Sequence, residues 1–178
     1  MQFNVAQLLK EPGGSSRTYE LQDELRSALD GELLIVAPLM GRLRFLRAGQ
    51  GILVTGQIST TLQVDCNRCL APVDVPVTVE LEEEFHPTLD IASGVELPAD
   101  FEVEEANLIN EQHVLDLSEV IRQELWLACP SLALCRENCK GFCLQCGQDL
   151  NEADCDCPEE IPDARWTGLQ VLQLDDNH

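Results

Sequence analysis

The sequence predicts an α+β fold: an antiparallel, β-rich core with a cysteine knuckle at a hairpin tip, one main helix, and a C-terminal zinc-binding module. Three observations predict it. Two long extended runs flank Cys66-Asn67-Arg68-Cys69, one strongly amphipathic stretch ends at Pro130, and six cysteines crowd residues 135–157. The organisation expected is residues 1–128 as a mostly β core with an acidic connection and a helix over 117–128. Residues 129–178 then form a cysteine-rich module with a short final helix.

From the start of the chain, Phe3 to Leu9 reads as the beginning of an edge strand, and Pro12-Gly13-Gly14-Ser15-Ser16 as a turn. Tyr19 to Leu29 fits either an extended piece or a short helix. Gly31 is a break, and Leu33-Leu34-Ile35-Val36 is a short buried strand. Arg42-Leu43-Arg44-Phe45-Leu46-Arg47 alternates charged and apolar side chains over most of its length, as a half-exposed strand does. Ala48 to Gly51 supplies a turn, and Ile52 to Val64 is rich in β-branched residues. After the cysteine pair, Val73, Val75, Val77, Val79 and Leu81 repeat with period two in a run that reaches Phe85. Pro76 cannot donate to a ladder, so it places this second strand at an edge or at an irregular position. The two runs form an antiparallel pair with the cysteines at the tip. Residues 86 to about 106 carry little periodicity and read as a loop or linker.

The main helix is expected from Leu117 to about Ala128. Asp116 stands at the N-cap and Glu119 at the capping-box position, and Leu117, Val120, Ile121, Leu125 and Ala128 share one stripe. Pro130 stops it. Ala164 to Leu172 suggests the final helix, anchored by Trp166, Leu169 and Leu172.

The chain has 178 residues, 44% hydrophobic and only 4% aromatic, so aliphatic side chains supply most of the core. No apolar run reaches the ~18 residues of a membrane span, and the first residues lack the basic flank and apolar stretch of a signal peptide. A cytoplasmic location is expected. Eleven Lys and Arg stand against 32 Asp and Glu, a net of −21, and the excess is lopsided: −1 over residues 1–78 and −20 over residues 79–178. Such a C-terminal half repels polyanions and invites a basic partner.

Nine cysteines, an odd number without a signal peptide, disfavour a secreted disulfide framework and favour metal ligation. A Cys-x-x-Cys turn aims two sulfurs inward from one knuckle, and Cys66/Cys69 and Cys143/Cys146 are such pairs. Cys135 and Cys139 precede the second pair, and Cys155 and Cys157 follow it. Cys129, at the end of a helical stripe, reads as a buried thiol. The other eight make one or two zinc sites. One pairing joins Cys66 and Cys69 to Cys143 and Cys146, leaving Cys135, Cys139, Cys155 and Cys157 for the other site. A rival puts one complete site in the C-terminal cluster and uses only some of the rest. Four thiolates also suit an iron–sulfur centre, but Cys-x8-Cys-x-Cys matches no ferredoxin-type spacing and ranks below zinc. His86, His113 and His178 are isolated, and no carboxylate pair or phosphate-cradling loop stands out. Two closed thiolate sets point to structure, so neither an enzyme nor a small-molecule substrate is expected.

Several blocks together resemble the YceD family of small bacterial and plastid proteins. They are Val64-Asp65-Cys66-Asn67-Arg68-Cys69-Leu70, the helix ending in Cys129-Pro130, Cys135 through Asn151 with its Cys-Lys-Gly-Phe-Cys-Leu-Gln-Cys-Gly core, Cys155-Asp156-Cys157, and Ala164-Arg165-Trp166. The resemblance runs from about Arg42 onward. Phe142 stands where the family more often has leucine and Leu144 where it often has proline. The resemblance implies ribosome biogenesis, specifically processing or accumulation of large-subunit ribosomal RNA, without implying catalysis. The expected partners are then ribosomal or ribosome-assembly proteins. Direct contact with ribosomal RNA is expected, if anywhere, through Arg42, Arg44, Arg47 and Arg68 in the less acidic half. The alternative is a zinc-stabilised protein-interaction module unrelated to ribosomes.

Overall fold

Period-two patterning over residues 39–85 is realised as a long antiparallel meander. The computed structural model describes residues 1–23, 34–98, 103–157 and 165. Strands β1 (Gln2–Asn4), β2 (Ser16–Asp23), β3 (Leu34–Ile35), β4 (Leu39–Ala48), β5 (Gly51–Asp65), β6 (Pro72–Pro87), β7 (Leu108–Ile109) and β8 (Val114–Asp116) accompany helices α1 (Ala6–Lys10) and α2 (Ser118–Ala128). The main sheet has the order β2-β4-β5-β6-β7, and β3 pairs β5 beyond the end of β4. A separate antiparallel pair joins β1 to β8.

The β5–β6 hairpin dominates. Its register runs unbroken from Ile52↔Phe85 to Asp65↔Pro72, a ladder of about 45 Å at the rise of an antiparallel strand. One face of it is buried: Ile52, Val54, Ile58 and Leu62 from β5, and Val77, Val79, Leu81 and Phe85 from β6. Thr60 is the buried polar exception, and its hydroxyl donates to the Ala37 carbonyl at 2.9 Å. Pro76 lies opposite Thr61, where β6 has β5 as its one neighbour among the described residues, so its missing N–H breaks no ladder.

Helix α2 lays Val120, Ile121 and Leu125 into this core, continuing from buried Leu117. The helix starts one residue later than expected, with Leu117 rather than Asp116 at its N-cap. Asp116 supports the turn from just outside, accepting the Ser118 N–H at 2.9 Å and the Ser118 hydroxyl at 2.6 Å. Glu119 does not complete a capping box. Its carboxylate instead forks onto Arg122 one turn on, at 2.9 and 2.6 Å. The helix ends at Ala128, with Cys129 extended ahead of Pro130.

Three segments depart from the sequence expectation. The start reads as a strand, yet only Gln2–Asn4 is extended. The Asn4 side chain accepts the Ala6 N–H, turning the chain into α1, which buries Leu8 and Leu9. Tyr19 to Asp23 is extended, paired with β4, and Tyr19 stacks among Phe3 and Phe45 with centroids 4.8–5.2 Å apart. The rest of that ambiguous segment, Gly31 and Leu33 lie outside the described residues. Residues 86–98 are less irregular than expected. The β6 strand continues to Pro87, Leu89 bridges Glu96, and the Asp90 carboxylate gathers the Ala92 and Ser93 N–H groups into a tight loop. Apart from Arg165, the final helix expected at 164–172 is outside the described residues.

Candidate metal centre

Each knuckle is a small hairpin, and the two have the same backbone plan. In the first, the Cys66 N–H donates to the Ala71 carbonyl at 2.8 Å and the Leu70 N–H returns to the Cys66 carbonyl at 2.9 Å. In the second, the Cys143 N–H donates to the Gln148 carbonyl at 2.8 Å and the Gly147 N–H to the Cys143 carbonyl at 2.9 Å. Both plans need a left-handed residue after the second cysteine. Gly147 takes φ +74° without cost, whereas Leu70 holds φ +55°, a conformation that disfavours an L side chain by about 1–2 kcal/mol.

This geometry turns N–H groups towards the leading sulfur. The Cys69, Arg68 and Cys135 N–H groups pull the Cys66 thiol down to about 6, and the Cys146 and Gln145 N–H groups do the same for Cys143, also to about 6. Neighbouring sulfurs act in the opposite sense. Beside Cys69, with burial adding to the effect, Cys135 is pushed up to about 12. Beside Cys146, Cys157 is likewise raised to about 12. In the first set Cys66 and Cys139 are thus lowered while Cys69 and Cys135 are raised, and in the second Cys143 is lowered while Cys155 and Cys157 are raised. A bound cation would displace protons from the raised thiols to solvent.

The structure sorts the eight cysteines into two sets of four. It overturns the pairing of the two knuckles, and it agrees with the rival in placing one complete set inside the C-terminal cluster but gathers all four of the rest into a second set. Cys66 and Cys69 meet Cys135 and Cys139, while Cys143 and Cys146 meet Cys155 and Cys157. Within each set all sulfurs lie within 4.8 Å of one another. The two knuckles therefore do not share a site. The physical reason is the path after α2: residues 131–139 double back onto the hairpin tip, which spacing along the chain does not disclose. In the first set Cys66 and Cys139 are 3.9 Å apart and Cys69 and Cys135 3.6 Å. A tetrahedral cation with metal–sulfur bonds near 2.3 Å needs sulfurs about 3.8 Å apart, so the set fits such an ion as it stands. Cys66, Cys69 and Cys139 are buried and Cys135 is exposed. The second set is shallower throughout. Among the described residues no histidine joins either group. Cys129 belongs to neither; it is half-buried against the main core.

Two asparagines hold the sets in place, and no sequence signal singled them out. Asn67, inside the first knuckle, donates its backbone N–H to the Ala133 carbonyl at 2.8 Å. Its side chain accepts the Ala133 N–H at 2.7 Å and donates to the Ser131 carbonyl at 3.1 Å. Asn151 spans the two sets: its amide donates to the Cys139 sulfur at 3.5 Å, while its oxygen accepts the Lys140 N–H at 2.9 Å. Gly141 makes the junction tight. At φ +75° it lies against Arg68, whose carbonyl accepts the Phe142 N–H at 3.2 Å.

The residues from 54 to 173 match the family model described as "Large ribosomal RNA subunit accumulation protein YceD". The chain belongs to the YceD family. That span begins inside β5 and takes in the hairpin tip, α2 and both cysteine sets, which are the parts that build the candidate centre. Uncharacterized proteins of Mycobacterium bovis and Mycobacterium tuberculosis are each 32% identical over 175 residues, covering 95% of this chain and 79% of their own length. A protein of Arabidopsis thaliana named "Large ribosomal RNA subunit accumulation protein YCED homolog 1, chloroplastic" is 25% identical over 156 residues, covering 76% of this chain and 49% of that protein. No solved structure matches. The family description ties the chain to ribosomal RNA at the level of the family.

The four arginines considered for RNA contact divide into distinct settings. Arg42 and Arg44 stand on the open face of the sheet. Arg42 pairs with Glu20 across the strands at 2.8 Å, and no hydrogen bond or ion pair engages Arg44 among the described residues. Arg47 projects to the other face, where its guanidinium donates to the Gly51 carbonyl at 3.0 Å and closes the β4–β5 turn. Arg68 donates to the Cys139 carbonyl at 2.6 Å, tying the first knuckle to the returning chain. No helix among the described residues is long and apolar enough to cross a membrane.

Proposed function

We propose that this chain is a non-catalytic, cytoplasmic factor in ribosome biogenesis, supporting processing or accumulation of large-subunit ribosomal RNA through contacts with basic proteins of that pathway. One observation carries the reading: the span matched to the family, 54–173, is the span that holds both four-cysteine sets. In this reading each set binds one zinc ion, Cys66, Cys69, Cys135 and Cys139 holding the first and Cys143, Cys146, Cys155 and Cys157 the second. Four thiolates leave a divalent ion no open position for substrate, so its role is to shape the C-terminal region. The region needs that support, because of residues 130–157 only Ala133 and Cys139 are buried apolar side chains.

The charge favours protein over bare RNA. Residues 79–178 carry a net of −20, and each zinc–thiolate set leaves a further −2. Direct RNA contact then falls to Arg42 and Arg44 on the open sheet face. At physiological salt the screening length is about 8 Å, so a local basic face works only where the acidic half points away. The same charge favours the second reading, a zinc-stabilised interaction module outside the ribosome. Depletion of the protein with gradient sedimentation separates the two. The first expects the protein in fractions with large-subunit precursors and a selective fall in large-subunit RNA on depletion. Unchanged RNA and migration only in light fractions would favour the second.

A further inference from the structure

We propose that the apolar rim of the two knuckles, built on Leu70, Leu132, Phe142 and Leu144, is the docking surface for a basic amphipathic protein segment. The proposal rests on the reading above for the basic character of the partner, and on the surface itself for its apolar character. The four most exposed large apolar side chains among the described residues are Leu144, Leu132, Leu127 and Leu70, between 87% and 64% exposed. Single exposed leucines are ordinary on a protein surface, but Leu70, Leu132 and Phe142 sit on segments that hydrogen bonds tie to the first knuckle. Leu132 lies between Ser131 and Ala133, both bonded to Asn67 of the first knuckle. The Phe142 N–H donates to Arg68, two residues before Leu70. Leu144 follows Cys143 inside the second knuckle, and Leu127 lies in the last turn of the helix that leads into this region.

Leu70 supplies an independent argument. The sister knuckle has glycine at this position, where the left-handed backbone is free of strain. A leucine there strains the turn, and its side chain, 64% exposed, returns little packing within this chain. A contact outside the fold would supply the packing that this side chain lacks within it. Charge selects what makes that contact. Residues 130–157 carry five acidic side chains and two basic ones, a net of −3, and two filled cysteine sets add −4. An apolar surface in such a field accepts a partner that brings leucine-like anchors on a lysine- and arginine-rich backbone, and repels nucleic acid.

The test uses the full, zinc-loaded chain, its Leu70→Gly and Leu144→Ser variants, and two kinds of probe. The first is a pair of synthetic lysine-rich helical peptides, one with leucines at i, i+4 spacing and one with those leucines replaced by serine. The second is a set of individually purified basic proteins of a bacterial large ribosomal subunit. The leucine peptide is expected to bind more tightly than the serine peptide, and each variant to weaken it at least tenfold. Binding of the serine peptide stays unchanged, and Leu70→Gly keeps its two metal ions and unfolds no earlier than the parent. Equal binding of both peptides, or variants indistinguishable from the parent, would overturn the docking surface. If a large-subunit protein binds parent and variants alike, the surface is wrong and the ribosomal reading stands. If the peptide result holds while no large-subunit protein binds, the surface stands and the ribosomal reading falls.

Discussion

Gly141→Ala probes the junction between the first knuckle and the returning chain. A Cβ at this position would stand 2.8 Å from the Arg68 carbonyl oxygen and 3.1 Å from the Arg68 Cβ. Arg68 has little room to yield, because its N–H faces the Cys66 sulfur and its guanidinium is bonded to Cys139. The left-handed backbone costs alanine about 1 kcal/mol, and moving Phe142 off the Arg68 carbonyl forfeits a hydrogen bond of about 1 kcal/mol, so the whole effect is about 2–3 kcal/mol. Gly141 also aims its N–H at the Cys139 sulfur, and the loss therefore falls on the first metal site. Its zinc affinity should drop roughly 30- to 150-fold. Gly147→Ala is the matched control: the same left-handed φ, nothing within 4 Å of the added carbon, and a loss of only roughly fivefold at the second site. Competition against a chromogenic chelator, with cobalt absorption to identify the site that empties, measures both. Equal losses in the two variants, or a first-site loss within about fivefold for Gly141→Ala, would refute the assigned junction.

Four further outcomes are expected. Cys143→Ser or Cys155→Ser should leave one metal ion per chain by elemental analysis, while Cys129→Ser should leave two, since Cys129 belongs to neither set. Metal affinity should fall as pH drops from 8 towards 6, because the cation needs thiolates and protons compete for them. At pH 8 Cys66 is already ionised with its thiol at about 6, whereas Cys69 is raised and Cys135 stands at about 12. Filling the first site should therefore release about two to three protons, measurable by calorimetry in buffers of different ionisation enthalpy. In the metal-free chain the depressed Cys66 and Cys143 thiols stabilise the fold fully above their unfolded value near 9, and this stabilisation is lost as pH falls through about 6. Asn151→Ala removes the donor to Cys139 and the acceptor for the Lys140 N–H, which should speed chelator-driven release from the first site more than from the second. Stopped-flow release traces with equal rates would count against it.

Much of this architecture was legible in residue order. Val73 to Leu81 alternates so regularly that only a strand fits, and Pro76 foretold its thinly partnered position. The α2 stripe and Pro130 set both the buried face and the stop. The cysteine pairs announced their chemistry. What residue order could not disclose was partnership across space. Cys135 joins Cys69 only because Asn67 zips residues 131–133 onto the hairpin tip, and an asparagine between two cysteines carries no visible instruction to do so. The opposite facing of Arg47 from Arg42 and Arg44, by contrast, follows from strand alternation alone; only its partner, the Gly51 carbonyl, needed the structure. The five-residue helix α1 is too short to show a period, so its buried Leu8 and Leu9 looked like strand residues.

The two cysteine sets differ most in how they constrain the chain as a polymer. A cation in the first set ties Cys69 to Cys135, residues 66 apart in sequence, and so fastens a loop containing β6, β7, β8 and α2. Treated as a cross-link, it removes about 4 kcal/mol of freedom from the unfolded chain, against about 2–3 kcal/mol for the short ring from Cys146 to Cys155 in the second. An ion in the first set would act as a clasp on the segment from β6 to α2, and one in the second as a local rivet. During synthesis the clasp stays open until Cys139 has emerged, so the long hairpin must wait, tip unfastened, for the 52 residues from Thr88 to Cys139.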